Sequence, residues 1–197
     1  NVFVQTNINA FGKMAMAGCG SYAKIEGFAF LPVTCFTMAL TTFVSQNLGA
    51  KQYDRAKKGA RFGILCSVAI AELIGFVIYV AAPTLIAAFN SDPSVVHYGV
   101  MQARTIALFY FLLAFSHCIA AVLRGSGHAS IPMAVMLCVW CLFRVSYITV
   151  TVRLIPDIRV IFWAYPLTWS ISSVIFLYLF LKGKWVYGFE KSDRNPK

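Results

Sequence analysis

Five long apolar runs organise the chain, and each is about 20–24 residues long. They lie near residues 25–47, 62–83, 99–123, 131–152 and 159–181. An α-helix rises about 1.5 Å per residue, so each run is long enough to cross the hydrocarbon core of a bilayer. A shorter apolar piece near 1–11 has the pattern of a truncated sixth helix. The pattern predicts an all-α polytopic membrane protein.

Short polar segments separate the apolar runs and predict where the helices end. They are rich in glycine, proline, asparagine and serine, which are residue types that favour turns. The predicted loops are residues 18–21, 90–93, 124–127 and 155–157. On this basis residues 1–181 form one transmembrane unit, and residues 182–197 form a tail.

The composition agrees with a membrane location. Hydrophobic residues make up 59% of the 197 residues, and charged residues make up 12%, whereas a soluble domain has about 25% charged residues. The net charge of +10 would indicate a nucleic-acid partner in a soluble protein. Here the basic residues fall between the apolar runs, and apart from Tyr53 no aromatic residues are interleaved with them. We therefore expect lipid contact and no nucleic acid.

Lysine and arginine are unevenly divided between the two sides of the predicted membrane. One side has eleven, in residues 48–61, at Arg124 and in the tail. The other side has Lys13, Lys24, Arg153 and Arg159. Basic loops stay in the cytoplasm, so the first side and the C-terminus are predicted to be cytoplasmic, in an inner or plasma membrane. An aromatic belt is predicted at the ends of the last helix, formed by Trp163, Tyr165, Trp185 and Tyr187.

A polar stripe follows one face of the helix predicted at 25–47. At about 100° per residue, its members fall within an arc of roughly 100°. They include Glu26, Phe30, Thr34, Thr37 and Thr41. Such a stripe either lines a water-filled cavity, or its hydroxyl groups bond to backbone carbonyls and join two helices. Glu26 has a second interpretation, because it lies near the predicted outer end and could be interfacial beside Lys24.

Other polar residues inside the predicted spans are candidates for function, because an ionisable group is costly in a bilayer. Gln5 and Asn9 share a face of the truncated helix and should face a cavity or another helix. Glu72 and Arg144 lie near the middle of their helices, where Glu72 would either bind a cation or pair with Arg144. His117 would either take part in a proton-coupled step or be a hydrogen-bonded structural residue.

The chain lacks the motifs of soluble enzymes. It has no Walker loop, no zinc-binding His-Glu-x-x-His and no Gly-x-Ser-x-Gly elbow. Cys138 and Cys141 have redox-like spacing, but they lie in an apolar helix without a nearby histidine, which favours packing. The sequence therefore predicts neither catalytic residues nor a metal site.

Three segments resemble a known family. Leu31-Pro32, the stretch ALTTFVSQNLGAKQYDRAKKG at 39–59 and Leu123-Arg-Gly-Ser-Gly127 are similar to the C-terminal half of multidrug and toxic compound extrusion (MATE) transporters, of the bacterial multidrug exporter type. The resemblance implies one six-helix lobe, with its first helix truncated, of a twelve-helix transporter whose two lobes are related by a pseudo-twofold axis. An N-terminal lobe of the same protein is then an expected partner.

The resemblance also implies an activity. Members export amphipathic organic cations by alternating access, in exchange for H⁺ or Na⁺, and need no other cofactor. Some members have one acid in helix seven and another in helix ten. In this chain the truncated first helix, which corresponds to helix seven, has amides and no acid, and the position of the acid in helix ten is occupied by Leu113. Coupling would then use Glu26 or an acid of the other lobe. An alternative is a lipid-linked saccharide flippase of a related superfamily, although its anionic substrates would favour more mid-membrane cations than Arg144.

Overall fold

In a computed structural model of the chain, residues 2–182 and 185–186 are described, and nearly all of them are helical. The helices are α1 Val2–Asn9, α2 Lys13–Gly49, α3 Tyr53–Ala87, α4 Pro93–Ile106, α5 Tyr110–Gly125, α6 Ser130–Met136, α7 Arg144–Leu154 and α8 Ile158–Leu181. A 3₁₀ turn, Ala107–Phe109, joins α4 to α5, and a π-helical segment, Leu137–Phe143, joins α6 to α7. These elements form five helices that are long and apolar enough to cross a membrane. The predicted all-α class is confirmed, and most of the predicted tail lies outside the described residues.

The second helix is longer than the apolar pattern indicates, and the predicted loop at 18–21 is wrong. α2 has 37 residues, or about 55 Å of helix, and the chain breaks before it, at Gly12, whose φ is +102°. Gly18 lies inside the helix, where α4 crosses it closely. A Cβ added at Gly18 would lie 2.5 Å from the carbonyl oxygen of Val95 and 2.8 Å from the nitrogen of Gly99. The small residue therefore permits close helix packing and does not mark a turn.

The third helix also starts earlier than predicted. α3 begins at Tyr53, so most of the basic segment lies on its first turns and not in a loop. Only residues 50–52 connect α2 to α3, with Lys51 in the left-handed region at φ 59°. The basic side chains are helical because lysine and arginine are good helix formers, and polarity alone does not end a helix.

Two of the five spans are irregular. Between α4 and α5, the 3₁₀ turn faces Gly75 of α3, and a Cβ at Gly75 would collide with the carbonyl oxygen of Ala107. Between α6 and α7, the π-helical segment directly precedes Arg144. A π-helical turn changes the angular register of the residues that follow, and such turns are frequent at functional sites.

Helix α5 lies at the centre of the bundle. The side chains from Cys118 to Leu123 are buried on all faces, and α5 packs against α2, α3 and α8. Helix α7 packs against α8 and α1. This arrangement leaves a cavity where α2, α5, the π-helical segment, α7 and α8 approach one another.

Candidate functional site

A cavity of about 510 Å³ lies among these helices. This volume is in the range of sites that hold drug-sized organic molecules. Its walls combine one acid, one base and several aromatic rings. The lining residues are Ala23, Glu26, Gly27, Phe30, Leu113, Trp140, Arg144, Tyr165 and Trp169. We call this space the Glu26 cavity.

Glu26 lies well inside α2. Because α2 begins at Lys13, roughly three and a half turns of helix precede Glu26. The interfacial interpretation of Glu26 expects a helix that begins near residue 25, whereas α2 begins at Lys13. That Glu26 lies at the membrane interface stays a prediction. The ammonium group of Lys24 instead lies 5.3 Å from the ring centroid of Phe89. Glu26 is half-buried, and the charge of Arg144 acts on it.

Arg144 is held on the wall that faces α8. Only 5% of its surface is exposed, and its Nη2 donates a 2.6 Å hydrogen bond to the Thr168 hydroxyl. The guanidinium carbon lies 4.6 Å from the ring centroid of Tyr165 and 5.2 Å from that of Trp140. Aromatic faces attract cations at such distances. The buried Nε has no hydrogen-bond partner in the described part of the chain.

The predicted ion pair between Glu72 and Arg144 is wrong. Glu72 lies on α3, half-buried, and its carboxylate accepts a hydrogen bond from the backbone N–H of Phe111. Arg144 lies on α7, which packs against α8 and α1, whereas α3 packs against α2, α4 and α5. The two residues are therefore in different parts of the bundle. That Glu72 binds a cation stays a prediction.

His117 lies next to the Glu26 cavity without lining it. Its Nδ1 is 3.1 Å from the Leu113 carbonyl oxygen, within hydrogen-bond distance. Its ring meets Phe30 edge-on and tilts against Trp140, with 5.2 Å between ring centroids in both pairs. The histidine thus supports two rings that line the cavity. A role in proton coupling stays a prediction.

The threonine stripe of α2 faces a second pocket. Thr34, Thr37 and Thr41 each donate a hydrogen bond to a carbonyl oxygen of their own helix, and Thr41 also approaches the carbonyl of Ala121 on α5, at 3.3 Å. The same three residues line a pocket of about 380 Å³ that Arg124 borders. Both interpretations of the stripe therefore apply, but only Glu26 and Phe30 reach the Glu26 cavity.

The amides of α1 do not line the Glu26 cavity. Gln5 and Asn9 are exposed, whereas Val4 and Ile8 bury the other face of α1 in a cluster with α7 and α8. The structure therefore does not bring Gln5 and Asn9 to Glu26.

Sequence reasoning missed the aromatic wall of the cavity. Trp140, Tyr165 and Trp169 line it. That Tyr165 also belongs to an aromatic belt at the membrane interface stays a prediction. Leu113, where the resemblance places an acid in some members, also lines it. One signal was available, because a mid-membrane arginine needs partners and Trp140 precedes Arg144 by one helical turn.

A bundle of membrane-spanning helices around a charged, aromatic cavity is the architecture of a polytopic membrane transporter. The MatE family profile matches residues 2–150, and the chain belongs to this family. The resemblance seen in the sequence is thereby confirmed, and the family is one of transporters and not of enzymes.

Curated relatives carry multidrug resistance names. A probable multidrug resistance protein NorM from Thermotoga maritima is 26% identical, over 94% of this chain and 42% of the relative. The probable multidrug resistance protein YoeA from Bacillus subtilis is 23% identical, over 65% of this chain and 28% of the relative. The chain thus spans less than half the length of both relatives.

Solved structures share the fold. A MATE protein in its straight conformation matches with a TM-score of 0.86 at 18% identity. The match covers 94% of this chain and 42% of the MATE protein. A MOP superfamily transporter from Pyrococcus furiosus has a TM-score of 0.85 at 18% identity, over 92% of this chain and 40% of its own. The MATE transporter ClbM, in complex with Rb⁺, scores 0.83 at 20% identity, over 90% and 42%. The chain therefore has the fold of one lobe of a two-lobe transporter.

Proposed function

We propose that the chain is the C-terminal lobe of a secondary active multidrug exporter. The complete protein would export amphipathic organic compounds that bear a cationic group, in exchange for H⁺ or Na⁺, by alternating access. One observation supports this proposal above the others: in a MatE-family chain, a carboxylate lies on the wall of a drug-sized, aromatic cavity. The names of the curated relatives agree with it.

The residues of the cavity would bind such a compound by complementary forces. The face of an aromatic ring attracts an organic cation, and the rings of Phe30 and Tyr165 share the cavity with the Glu26 carboxylate. The carboxylate would add a direct charge attraction, which is strong where water is largely excluded.

Exchange requires that the compound and the coupling ion compete. If H⁺ or Na⁺ binds the Glu26 carboxylate, the attraction for the organic cation disappears. A ligand shifts the equilibrium between inward-open and outward-open states only by its differential affinity for them. Among the three candidates for coupling, Glu26, His117 and Glu72, only Glu26 lines the cavity, so we assign coupling to it.

The predicted consequence is that Glu26→Gln impairs export. We expect at least a tenfold loss of dye efflux by cells that express the full-length protein, since a tenfold change corresponds to about 1.4 kcal/mol and a charged contact is worth that much. Efflux is measured by fluorescence, with and without an imposed Na⁺ or H⁺ gradient. Glu72→Gln is the matched control, because it removes the same charge outside the cavity. Unchanged efflux in Glu26→Gln would remove Glu26 from the mechanism.

The orientation that we propose places the start of α3 and the C-terminus in the cytoplasm of a bacterial cell. Asp54 is the one acid among the basic residues on the first turns of α3, so this end is strongly positive and suited to anionic headgroups. With an otherwise cysteine-free protein, Gln52→Cys should react with a membrane-impermeant maleimide only in inside-out vesicles, and Ser91→Cys only in intact cells. The opposite labelling pattern would reverse the orientation.

A lipid-linked saccharide flippase is the second candidate. The observation in its favour is the buried cation Arg144 on the cavity wall. A multiply charged phosphate group would call for several cations, and Arg144 is the only one among the residues that line the Glu26 cavity. In the same vesicles, flipping of a lipid-linked saccharide without any dye transport would favour this second candidate.

A further inference from the structure

We propose that Arg144 is a specificity-determining residue that binds an anionic group of the transported compound, so that the Glu26 cavity selects amphipathic zwitterions over simple cations. This inference rests on the proposed export function and names the substrate class of its cavity. It assigns a different part of the ligand to each of two charged residues, Glu26 and Arg144.

The guanidinium group is fixed in position before any ligand arrives. The Thr168 hydroxyl accepts from Nη2, and the rings of Trp140 and Tyr165 flank the group. The Thr168 hydroxyl lies 2.9 Å from the carbonyl oxygens of Ala164 and Tyr165, to which it can donate its own proton. Its lone pair is therefore free to accept from Arg144, and the arginine is held without a charged partner in direct contact.

Arg144 retains unused hydrogen-bonding capacity. An arginine has five N–H donors in a planar fork that matches a carboxylate or phosphate. In the described part of the chain, the buried Nε has no hydrogen-bond partner and Nη2 donates to the Thr168 hydroxyl, while the Glu26 carboxylate acts on Arg144 through its charge. A buried cation is stabilised further when oxygen acceptors contact it directly. An oxygen anion that enters the cavity would be bound by the remaining N–H groups of Nη1 and Nη2, because Nε itself is shielded by the protein.

Charge balance then decides which compounds bind. With both residues ionised, Glu26 and Arg144 contribute no net charge to the cavity. A ligand with only a cationic group is attracted by Glu26 and repelled by Arg144, and both forces are stronger beside a protein wall than in bulk water. A ligand with an ammonium group and a carboxylate satisfies both residues, while its aromatic body lies against Phe30 and Trp169.

Tetramethylrhodamine and its methyl ester test this directly. They share one aromatic cation, but only the acid carries a free carboxylate. Their dissociation constants are measured by fluorescence anisotropy on the full-length protein in nanodiscs, and empty nanodiscs correct for partitioning into lipid. The wild type should bind the acid about tenfold more tightly than the ester, which is the scale of one hydrogen bond to a charged group.

Variants assign the preference to Arg144. Arg144→Met should abolish the preference for the acid or reverse it, whereas Arg144→Lys, which keeps the charge, should keep part of it. Arg153→Met is the matched control, since it removes an exposed arginine from the same helix, and it should leave the ratio unchanged.

Two results would overturn the proposal. One is that the wild-type protein binds the ester as tightly as the acid, or more tightly. This result does not depend on how any variant folds. The other is an acid preference that persists in Arg144→Met. In both cases export could still be intact, and efflux of the ester from cells would show it. If the wild type neither binds nor exports either dye, the export function itself fails, and this inference fails with it.

Discussion

At the scale of single residues, Thr168 determines how Arg144 is held. The Thr168 hydroxyl is fully buried and accepts the 2.6 Å hydrogen bond from Nη2. Within the described residues, the Thr168 hydroxyl is the hydrogen-bond partner of the guanidinium group, and the Glu26 carboxylate acts on it through its charge. A hydrogen bond to a charged group contributes about 1.5–3 kcal/mol, so one hydroxyl carries much of the polar stabilisation of this cation.

We predict that Thr168→Val lowers the free energy of unfolding by about 1–3 kcal/mol, because a buried donor loses its acceptor. Unfolding of the purified protein by denaturant in mixed micelles measures the change. Thr149→Val is the matched control, since the Thr149 hydroxyl bonds only to the carbonyl oxygen of Val145 on its own helix and the residue lies near the surface. Equal effects of the two substitutions would contradict this role for Thr168.

The residues of the site were predictable to different degrees. Glu26 and Phe30 follow from periodicity, since residues four apart share a helix face and the face of α2 is set by its own sequence. Of the partners of Arg144, Trp140 is signalled by its spacing, but Tyr165 and Thr168 are not, because they lie on α8. Spacing along the chain does not show which helices are adjacent. The sequence therefore offers Glu72 as a partner of Arg144, although the two residues lie in different parts of the bundle.

At the scale of helices, the crossing of α2 and α4 depends on Gly18. Its Cα lies so close to α4 that an added Cβ would come within 3 Å of three heavy atoms, two of them backbone. Backbone atoms cannot rotate away as a side chain would. The N-terminal part of α2 can therefore approach α4 this closely only because residue 18 has no side chain. The same close contact positions Glu26, which follows eight residues later on α2.

We predict that Gly18→Ala destabilises the protein by about 1–3 kcal/mol, the usual cost of overpacking a core. Gly20→Ala is the control on the same helix, where an added Cβ meets nothing within 4 Å. It should be neutral or stabilising by up to about 1 kcal/mol, because alanine is the better helix former. Thermal unfolding in detergent, followed by size-exclusion chromatography, compares them. A Gly18→Ala protein as stable as Gly20→Ala would contradict the close crossing.

The number of spans was predictable from the sequence, but their limits were not. Apolar length fixes the span count, because each segment must cross a bilayer of given thickness. The limits are harder to predict because glycine occurs both in turns and where two helices approach closely. The sequence at 18–21 is compatible with either structure. The segment at 53–61 shows the converse, since its charges predict a membrane boundary although these residues are already helical.

At the scale of the whole molecule, the chain provides one lobe, and this lobe contains the Glu26 cavity. Its charged and aromatic walls come from α2, α7, α8 and the π-helical segment, so any rearrangement of these helices would change the distance between Glu26 and Arg144. Alternating access requires such a difference between two states. The lobe would therefore take part in coupling and would not serve only as a scaffold.

The central claim is that the exported compound binds in the Glu26 cavity, and cysteine protection tests it most directly. Ala23→Cys places a thiol on the cavity wall, and Ala39→Cys places one on an exposed part of the same helix outside it. Both are made in a full-length, otherwise cysteine-free protein and alkylated with a maleimide, with and without tetramethylrhodamine. At a dye concentration about ten times its dissociation constant, we predict about tenfold slower alkylation at residue 23 and no change at residue 39. Equal rates at residue 23 with and without bound dye would contradict the claim.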